Sequence, residues 1–194
     1  MSELNALLRS VTSYFEAASL SYMISGSFAS AAHGQPRTTQ DIDIVIDPDD
    51  ERQLQSFLAQ LPTTEFYFDS EAAIDAYRRR SMFNLIHKHS GWKIDLILRK
   101  RREFSRAEFK RRVAHTLMGV PVLVSTPEDT VVAKLEWSLE SGGSRKQRND
   151  ILGVLMAQAS TLDMPYIEAW VQELELTSEW NAVQKLLAAA RSPE

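Results

Sequence analysis

The stretch Asp41-Ile42-Asp43-Ile44-Val45-Ile46 constrains this chain more tightly than any other. Side chains alternate along a strand, so Ile42, Ile44 and Ile46 share one face and can enter a core, while Asp41 and Asp43 share the other. Two positions along a strand are roughly 6.5–7 Å apart. At an effective dielectric of about 20, like charges at that range repel by roughly 2–3 kcal/mol. Water relieves most of this at an open surface. In a cleft it does not, and there the pair calls for a cation.

A second apolar strand repeats the arrangement. In Trp92-Lys93-Ile94-Asp95-Leu96-Ile97-Leu98, Ile94, Leu96 and Leu98 alternate with Lys93, Asp95 and Ile97. If the two strands are neighbours, Asp95 completes a cluster of three carboxylates. Oxygen donors of this kind suit Mg²⁺ or Mn²⁺, and the chain has no cysteine for a thiolate site. Two such ions could clamp phosphates and activate an attacking hydroxyl, with Asp95 drawing off or orienting its proton. Upstream, Tyr22-Met23-Ile24 reads as a short strand running into Gly26-Ser27, and a short helix is expected over 28–32. Glycine lets a backbone approach a phosphate, and a helix N-terminus offers free N–H groups and a favourable dipole. The Ser27 hydroxyl could donate to a phosphate oxygen or cap the helix.

This series, Gly26-Ser27, then Asp41-x-Asp43 inside a hydrophobic strand, then a lone Asp95 on a later one, resembles the nucleotidyltransferase superfamily of the DNA polymerase β type. Residues 26–34 followed by Arg37-Thr38-Thr39-Gln40-Asp41-Ile42-Asp43 look most like the minimal nucleotidyltransferases of the AbiEii toxin type. Thr126-Pro127-Glu128-Asp129 leading to Lys134, with Arg148-Asn149-Asp150 after it, is similar to a later helical motif of that group. The resemblance spans roughly residues 22–151. It implies a nucleotidyltransferase-like mixed sheet with flanking helices. It also implies Asp41, Asp43 and Asp95 as metal ligands, Ser27 on a phosphate, Lys134 reaching the triphosphate and Asp150 supporting the site. Arg37, four residues before the acidic strand, could touch a phosphate as well. A toxin role, and a cognate antitoxin as partner, follow from the resemblance alone.

Elsewhere the pattern predicts an α+β chain. Helices are expected at 3–18, 49–60, 72–79 and 106–112, and strands at 66–68, 82–88 and 92–98. A hairpin is expected over 113–118 and 120–124, around Gly119. After residue 125 only helices are expected, at 127–140, 145–158, 165–174 and 179–190. Thr126 with Asp129, and Ser144 with Gln147, look like capping boxes. The expected division is an α/β domain over 1–125 and a helical portion over 126–194, which could pack as one unit. Trp137, Trp170 and Trp180 fit helical core faces.

Net charge is −4, yet fourteen of the 22 basic residues fall in Arg78–Arg80, Arg99–Arg112 and Arg145–Arg148. Such asymmetry fits either a polyanion-binding face, hence an RNA or tRNA acceptor, or a solvated charged surface. No run approaches the roughly 20 apolar residues of a membrane span. The first residues lack the features of a signal peptide, and the absence of cysteine fits a cytoplasmic setting.

Each candidate has a structural alternative. Asp41 could cap a turn, Asp95 could pair with an arginine, and Lys134 could face solvent. Asp150 could offset Arg145, Lys146 and Arg148 in its own first turn. His87 and His89 share a strand face but lack a third ligand, so a solvated hairpin end is favoured over a zinc site. The leading expectation is a Mg²⁺-dependent enzyme, an ATP or other nucleoside triphosphate being the donor and a hydroxyl the acceptor. The alternatives are a catalytically inactive nucleotide- or RNA-binding regulator of the same fold, and an interaction protein using its C-terminal helices.

Overall fold

The computed structural model describes residues 3–191. In chain order the elements are α1 (Glu3–Ala17), β1 (Tyr22–Ile24), α2 (Gly26–His33), β2 (Asp41–Ile46), α3 (Glu51–Gln60), β3 (Phe66–Tyr67), α4 (Ser70–Arg79), β4 (Met82–His87) and β5 (Lys93–Leu98). They continue with α5 (Glu103–Arg111), β6 (Val113–Leu117), β7 (Val120–Val124), α6 (Pro127–Glu140), α7 (Arg145–Ala157), α8 (Met164–Glu173) and α9 (Thr177–Arg191).

The chain divides into two compact units. One is the segment up to Ser25 together with Thr39–Val124; the other is Gly26–Thr38 together with the segment from Ser125 onward. A single cut near residue 125 would leave 26–38 with the α/β portion, whereas the structure groups that segment with the helices. Its own contacts explain this, since α2 packs against α6 and α7.

The first unit is built on a seven-stranded mixed sheet of order β3-β4-β5-β2-β1-β7-β6. β2 runs parallel to β5 and β1 parallel to β7, while the other pairs are antiparallel. Ile42, Ile44 and Ile46 pair across the β2–β5 ladder with Ile94, Leu96 and Leu98, and all six are buried. Period-two alternation therefore places one apolar layer under helices. Phe15 of α1 locks this layer, stacking on Tyr22 of β1 at 4.8 Å and on Phe57 of α3 at 5.0 Å between ring centroids. The β6–β7 hairpin turns at Met118 and Gly119, both at positive φ (50° and 79°), as a tight two-residue turn requires.

In the second unit the expected caps form. Thr126 accepts a hydrogen bond from the Asp129 backbone N–H and donates its hydroxyl to Asp129 Oδ2 at 2.6 Å, and Ser144 accepts from the Gln147 N–H. Several helix starts differ from the sequence expectation by two or three residues. α2 begins at Gly26, which takes a left-handed φ of 58° that glycine adopts without strain, and α5 begins at Glu103. Trp180 is buried, but Trp137 is 58% exposed, so the core face expected for it is corrected. α6 already fills its inner face with Val131, Val132, Leu135 and Ser138.

Gly34 marks the closest approach in this unit. A Cβ there would lie 2.7 Å from the Gly153 carbonyl carbon and 2.8 Å from the Val154 nitrogen, backbone atoms of α7 that cannot swing aside. Gly34→Ala is expected to destabilise the protein by about 1–3 kcal/mol, as overpacking does. A lowered midpoint in urea unfolding checks this.

Candidate functional site

In the sheet unit the candidate face is the reverse of the isoleucine layer. The parallel register sets Asp41 against Lys93 and Asp43 against Asp95, and the antiparallel β4 sets Asn84 against Asp95. Paired residues on adjacent strands share a face, so these five side chains form one polar strip. At the ~5 Å of neighbouring strands, and an effective dielectric of about 20, the Asp43 and Asp95 carboxylates repel by about 3 kcal/mol. Lys93 relieves part of this. Its Nζ lies 3.0 Å from Asp95 Oδ2 and 3.7 Å from Asp41 Oδ1. The hydrogen bond to Asp95 holds the Lys93 pKa above its ordinary 10.5 against a smaller desolvation effect, and the charges of Asp95, Asp41 and Asp43 add to it.

Asp95 is only 7% exposed, and its Oδ1 has no hydrogen-bond partner. A buried carboxylate oxygen left unsatisfied is costly, and a hard cation is the kind of group that would satisfy it. The all-oxygen donor set suits Mg²⁺ or Mn²⁺. The expected cluster of three is modified by Lys93, which stands between Asp41 and Asp95. Among the described residues no three carboxylate or imidazole side chains converge as an ion cage. Asp95 pairs with a lysine of its own strand rather than with an arginine. The sequence reading gave Lys93 no role, although its place two residues before Asp95 signals a shared face.

The helical unit gathers the other candidates around one carboxylate. Arg37 grips Asp150 in bidentate fashion, Nε to Oδ1 at 2.8 Å and Nη2 to Oδ2 at 3.1 Å, and the same Nη2 donates to the Ser27 hydroxyl. Lys134 donates to Asp150 Oδ2 at 2.8 Å and to Gln147 Oε1 at 2.9 Å. Lys134 is 3% exposed, so the solvent-facing alternative is overturned. Asp150 forms ion pairs with these two residues, while Arg148 of its own first turn pairs with Glu179. Ser27, Arg37, Lys134 and Asp150 thus form one connected network, and Gln147 is a member that the sequence marked only as a cap partner. Gly26 opens the helix that carries Ser27.

The basic segments fare differently. Arg78 pairs with Glu51, Arg79 with Asp75, Arg80 and Arg99 with Asp47, and Arg148 with Glu179. Lys100, Arg101, Arg106 and Lys110 stay exposed. His87 and His89 sit with ring centroids 5.7 Å apart, and His87 Nδ1 is 2.6 Å from the Ser90 hydroxyl. No helix among the described residues is long and apolar enough to cross a membrane.

No protein-family model and no curated protein sequence matches the chain. Solved structures do. ANT(2'')-Ia in complex with adenylyl-2''-tobramycin superposes with a TM-score of 0.58 at 13% identity, over 92% of this chain and 99% of that one. An antigenic nucleotidyltransferase-like protein from Paracoccidioides brasiliensis gives 0.54 at 18% identity, over 93% of both chains. The lincomycin-bound lincosamide antibiotic adenylyltransferase LnuA gives 0.52 at 12% identity, over 79% of this chain and 96% of that one. The chain has the nucleotidyltransferase fold.

Burial would push the Asp150 carboxyl up, but hydrogen bonds and charge from Arg37 and Lys134 outweigh it and hold the pKa below the ordinary 3.8. Arg148 chiefly does the same for Glu179, keeping it below 4.5. A carboxylate with a depressed folded pKa contributes stability that is complete above its unfolded pKa and is lost as pH falls through the folded value. Urea midpoints should therefore drop between about pH 5 and pH 2, and less steeply in Asp150→Asn. At neutral pH that variant is expected to cost about 3 kcal/mol, because it leaves the buried Lys134 without its carboxylate.

Proposed function

We propose that this chain is a Mg²⁺- or Mn²⁺-dependent nucleotidyltransferase, moving a nucleoside monophosphate from a nucleoside triphosphate to an acceptor hydroxyl. The observation that carries the reading is the in-register pairing of Asp43 with Asp95, beside Asp41, on a strand pair whose other face is core. The fold supports it. Against a decayed, regulatory protein stands this same strip, since three carboxylates crowded on one face destabilise a fold that no longer binds a cation.

In this reading Asp41, Asp43 and Asp95 hold the divalent ion. Bound there, the ion would offset phosphate charge and lower the proton affinity of the acceptor hydroxyl. Gly26 lets the backbone approach a phosphate, and Ser27, Arg37 and Lys134 donate to phosphate oxygens. Asp150 holds Arg37 and Lys134 in place. The acceptor oxygen forms a bond to the α-phosphorus in line, the bond to the bridging oxygen breaks, and pyrophosphate leaves. The Asp95 carboxylate takes or orients the acceptor proton.

Both named adenylyltransferase neighbours make ATP the first nucleotide to try. Two acceptors have separate support. The exposed Lys100, Arg101, Arg106 and Lys110 favour an RNA such as tRNA, and the neighbours' names favour a small-molecule hydroxyl. A toxin of the AbiEii type, with a cognate antitoxin, is the biological form in which the motif resemblance would place an RNA acceptor. A cysteine-free chain suits a cytoplasmic setting for it.

Incubation with Mg²⁺, total RNA or a small-molecule extract, and each α-labelled nucleoside triphosphate tests this. Label is expected on one acceptor fraction with one nucleotide. The Asp41→Ala/Asp43→Ala double variant should lose at least about 100-fold, since even groups behind metal ligands cost 10–100-fold. No transfer to any fraction, or transfer unaffected in the double variant, would contradict the proposal.

A further inference from the structure

Along β3, β4 and β5 the sheet buries one face and leaves the other open. Phe66, Phe83, Leu85, Ile94, Leu96 and Leu98 are at most 5% exposed. On the reverse side Tyr67, Met82 and Ile86 are exposed by 62%, 46% and 38%, with Asn84 exposed and Ile97 half-buried. Water-facing positions of an antiparallel pair are ordinarily polar, and most of these are not. The register makes them contiguous: Tyr67 faces Ile86, Ile86 faces Lys93, Asn84 faces Asp95 and Met82 faces Ile97. A contiguous exposed apolar patch marks a binding surface, whereas scattered apolar residues do not.

The patch borders the carboxylate strip. With strands about 5 Å apart and alternate residues about 7 Å apart, Ile86 and Met82 each lie about 8 Å from Asp95, and Tyr67 about 12 Å. A compound that rests on this shelf and offers a hydroxyl at Asp95 therefore spans one or two rings.

Charge decides between the two classes of acceptor. The paired residues of β2, β4 and β5 on this face carry Asp41, Asp43, Asp95 and Lys93, a net of two negative charges. A divalent ion would balance them, leaving no surplus positive charge to hold a phosphodiester backbone. Beyond the Ile97 end, Arg80 and Arg99 are paired with Asp47.

We propose that Tyr67, Met82 and Ile86 form the acceptor shelf, and that the acceptor is a small hydroxyl compound with a flat apolar face and no phosphate. The inference rests on the proposed nucleotidyl transfer at the carboxylate strip. An exposed tyrosine ring offers a rigid surface for stacking, and a methionine thioether adapts to the outline of what lies on it. Asn84 supplies both a donor and an acceptor at the centre of the shelf. These side chains determine which hydroxyl compound is held, and the carboxylates act on whatever hydroxyl is presented.

The test uses the full chain with ¹³C-labelled methionine and isoleucine methyl groups, and 2-phenylethanol as a probe with an apolar ring and a hydroxyl. The methyl resonances of Met82, Ile86 and Ile97 should shift on titration, and Tyr67→Ala should weaken this binding about fivefold. An oligouridylate with a free 3′-hydroxyl should leave the same resonances in place. In the transfer assay, Tyr67→Ala and Ile86→Ser should each raise KM for the small-molecule acceptor about tenfold, with KM for the triphosphate unchanged. No shift with the alcohol, shifts caused by the oligouridylate, or equal affinity in Tyr67→Ala would overturn the inference. Resonances that move with protein concentration alone would assign the face to a second copy of the chain and overturn it as well. Methyl shifts without any nucleotidyl transfer would uphold the shelf and count against the proposed reaction. Transfer with KM for the acceptor unchanged in both variants would overturn the shelf and leave the reaction standing.

Discussion

The parallel pairing of β2 with β5 is the constraint on which the rest depends. It joins six buried aliphatic side chains into one layer, and the same register forces Asp43 beside Asp95 on the reverse face. The two results cannot be separated, because a slip of one residue would exchange the faces and bury the carboxylates. The hydrophobic effect acting on Ile42, Ile44, Ile46, Ile94, Leu96 and Leu98 therefore holds three acids at a spacing they would not choose. At roughly 1.5–3 kcal/mol for each buried aliphatic side chain, that layer outweighs a repulsion of about 3 kcal/mol. The remaining strain is met by Lys93, and it leaves one oxygen of Asp95 unsatisfied.

The helical unit solves a related problem with opposite sign. Lys134 is buried and Arg37 is three-quarters so, and Asp150 ties the two together. Through Arg37 the tie extends to the hydroxyl of Ser27. A bidentate guanidinium fixes direction as well as charge, so the network holds its side chains in defined places. Under the proposed reaction that order is an advantage, since donors that are already ordered lose little freedom on binding.

Much of this was legible in the sequence, for identifiable reasons. Period-two alternation in 41–46 and 92–98 determines faces directly, and the caps at Thr126 and Ser144 depend on residues three apart. Local signals of this kind survive without knowledge of the fold. Partners across long separations do not. Nothing in the alternation of Lys93 and Asp95 says that β2 lies alongside in parallel register, and Arg37 finds Asp150 across 113 residues. Segment 26–38 reads as part of the α/β portion because it lies between two strands, yet it packs with α6 and α7 through Gly34 and Gly153, whose small size shows only once the helices are placed. Trp137 lies outside the core although its spacing fits a core face, because a helical stripe of apolar residues does not say where the stripe ends. The partners of Arg78, Arg79, Arg80, Arg99 and Arg148 are equally illegible, since arginine runs give no hint of the aspartates and glutamates that come to pair with them.

Under the proposed reaction the β2–β5 carboxylates act on nucleotide through a divalent ion. Calorimetric titration with a non-hydrolysable α,β-methylene triphosphate, with and without Mg²⁺, tests it most directly. The predicted result is binding by wild type that requires Mg²⁺ and is lost in Asp43→Asn. Binding of equal strength without the ion, or unchanged in that variant, would contradict it.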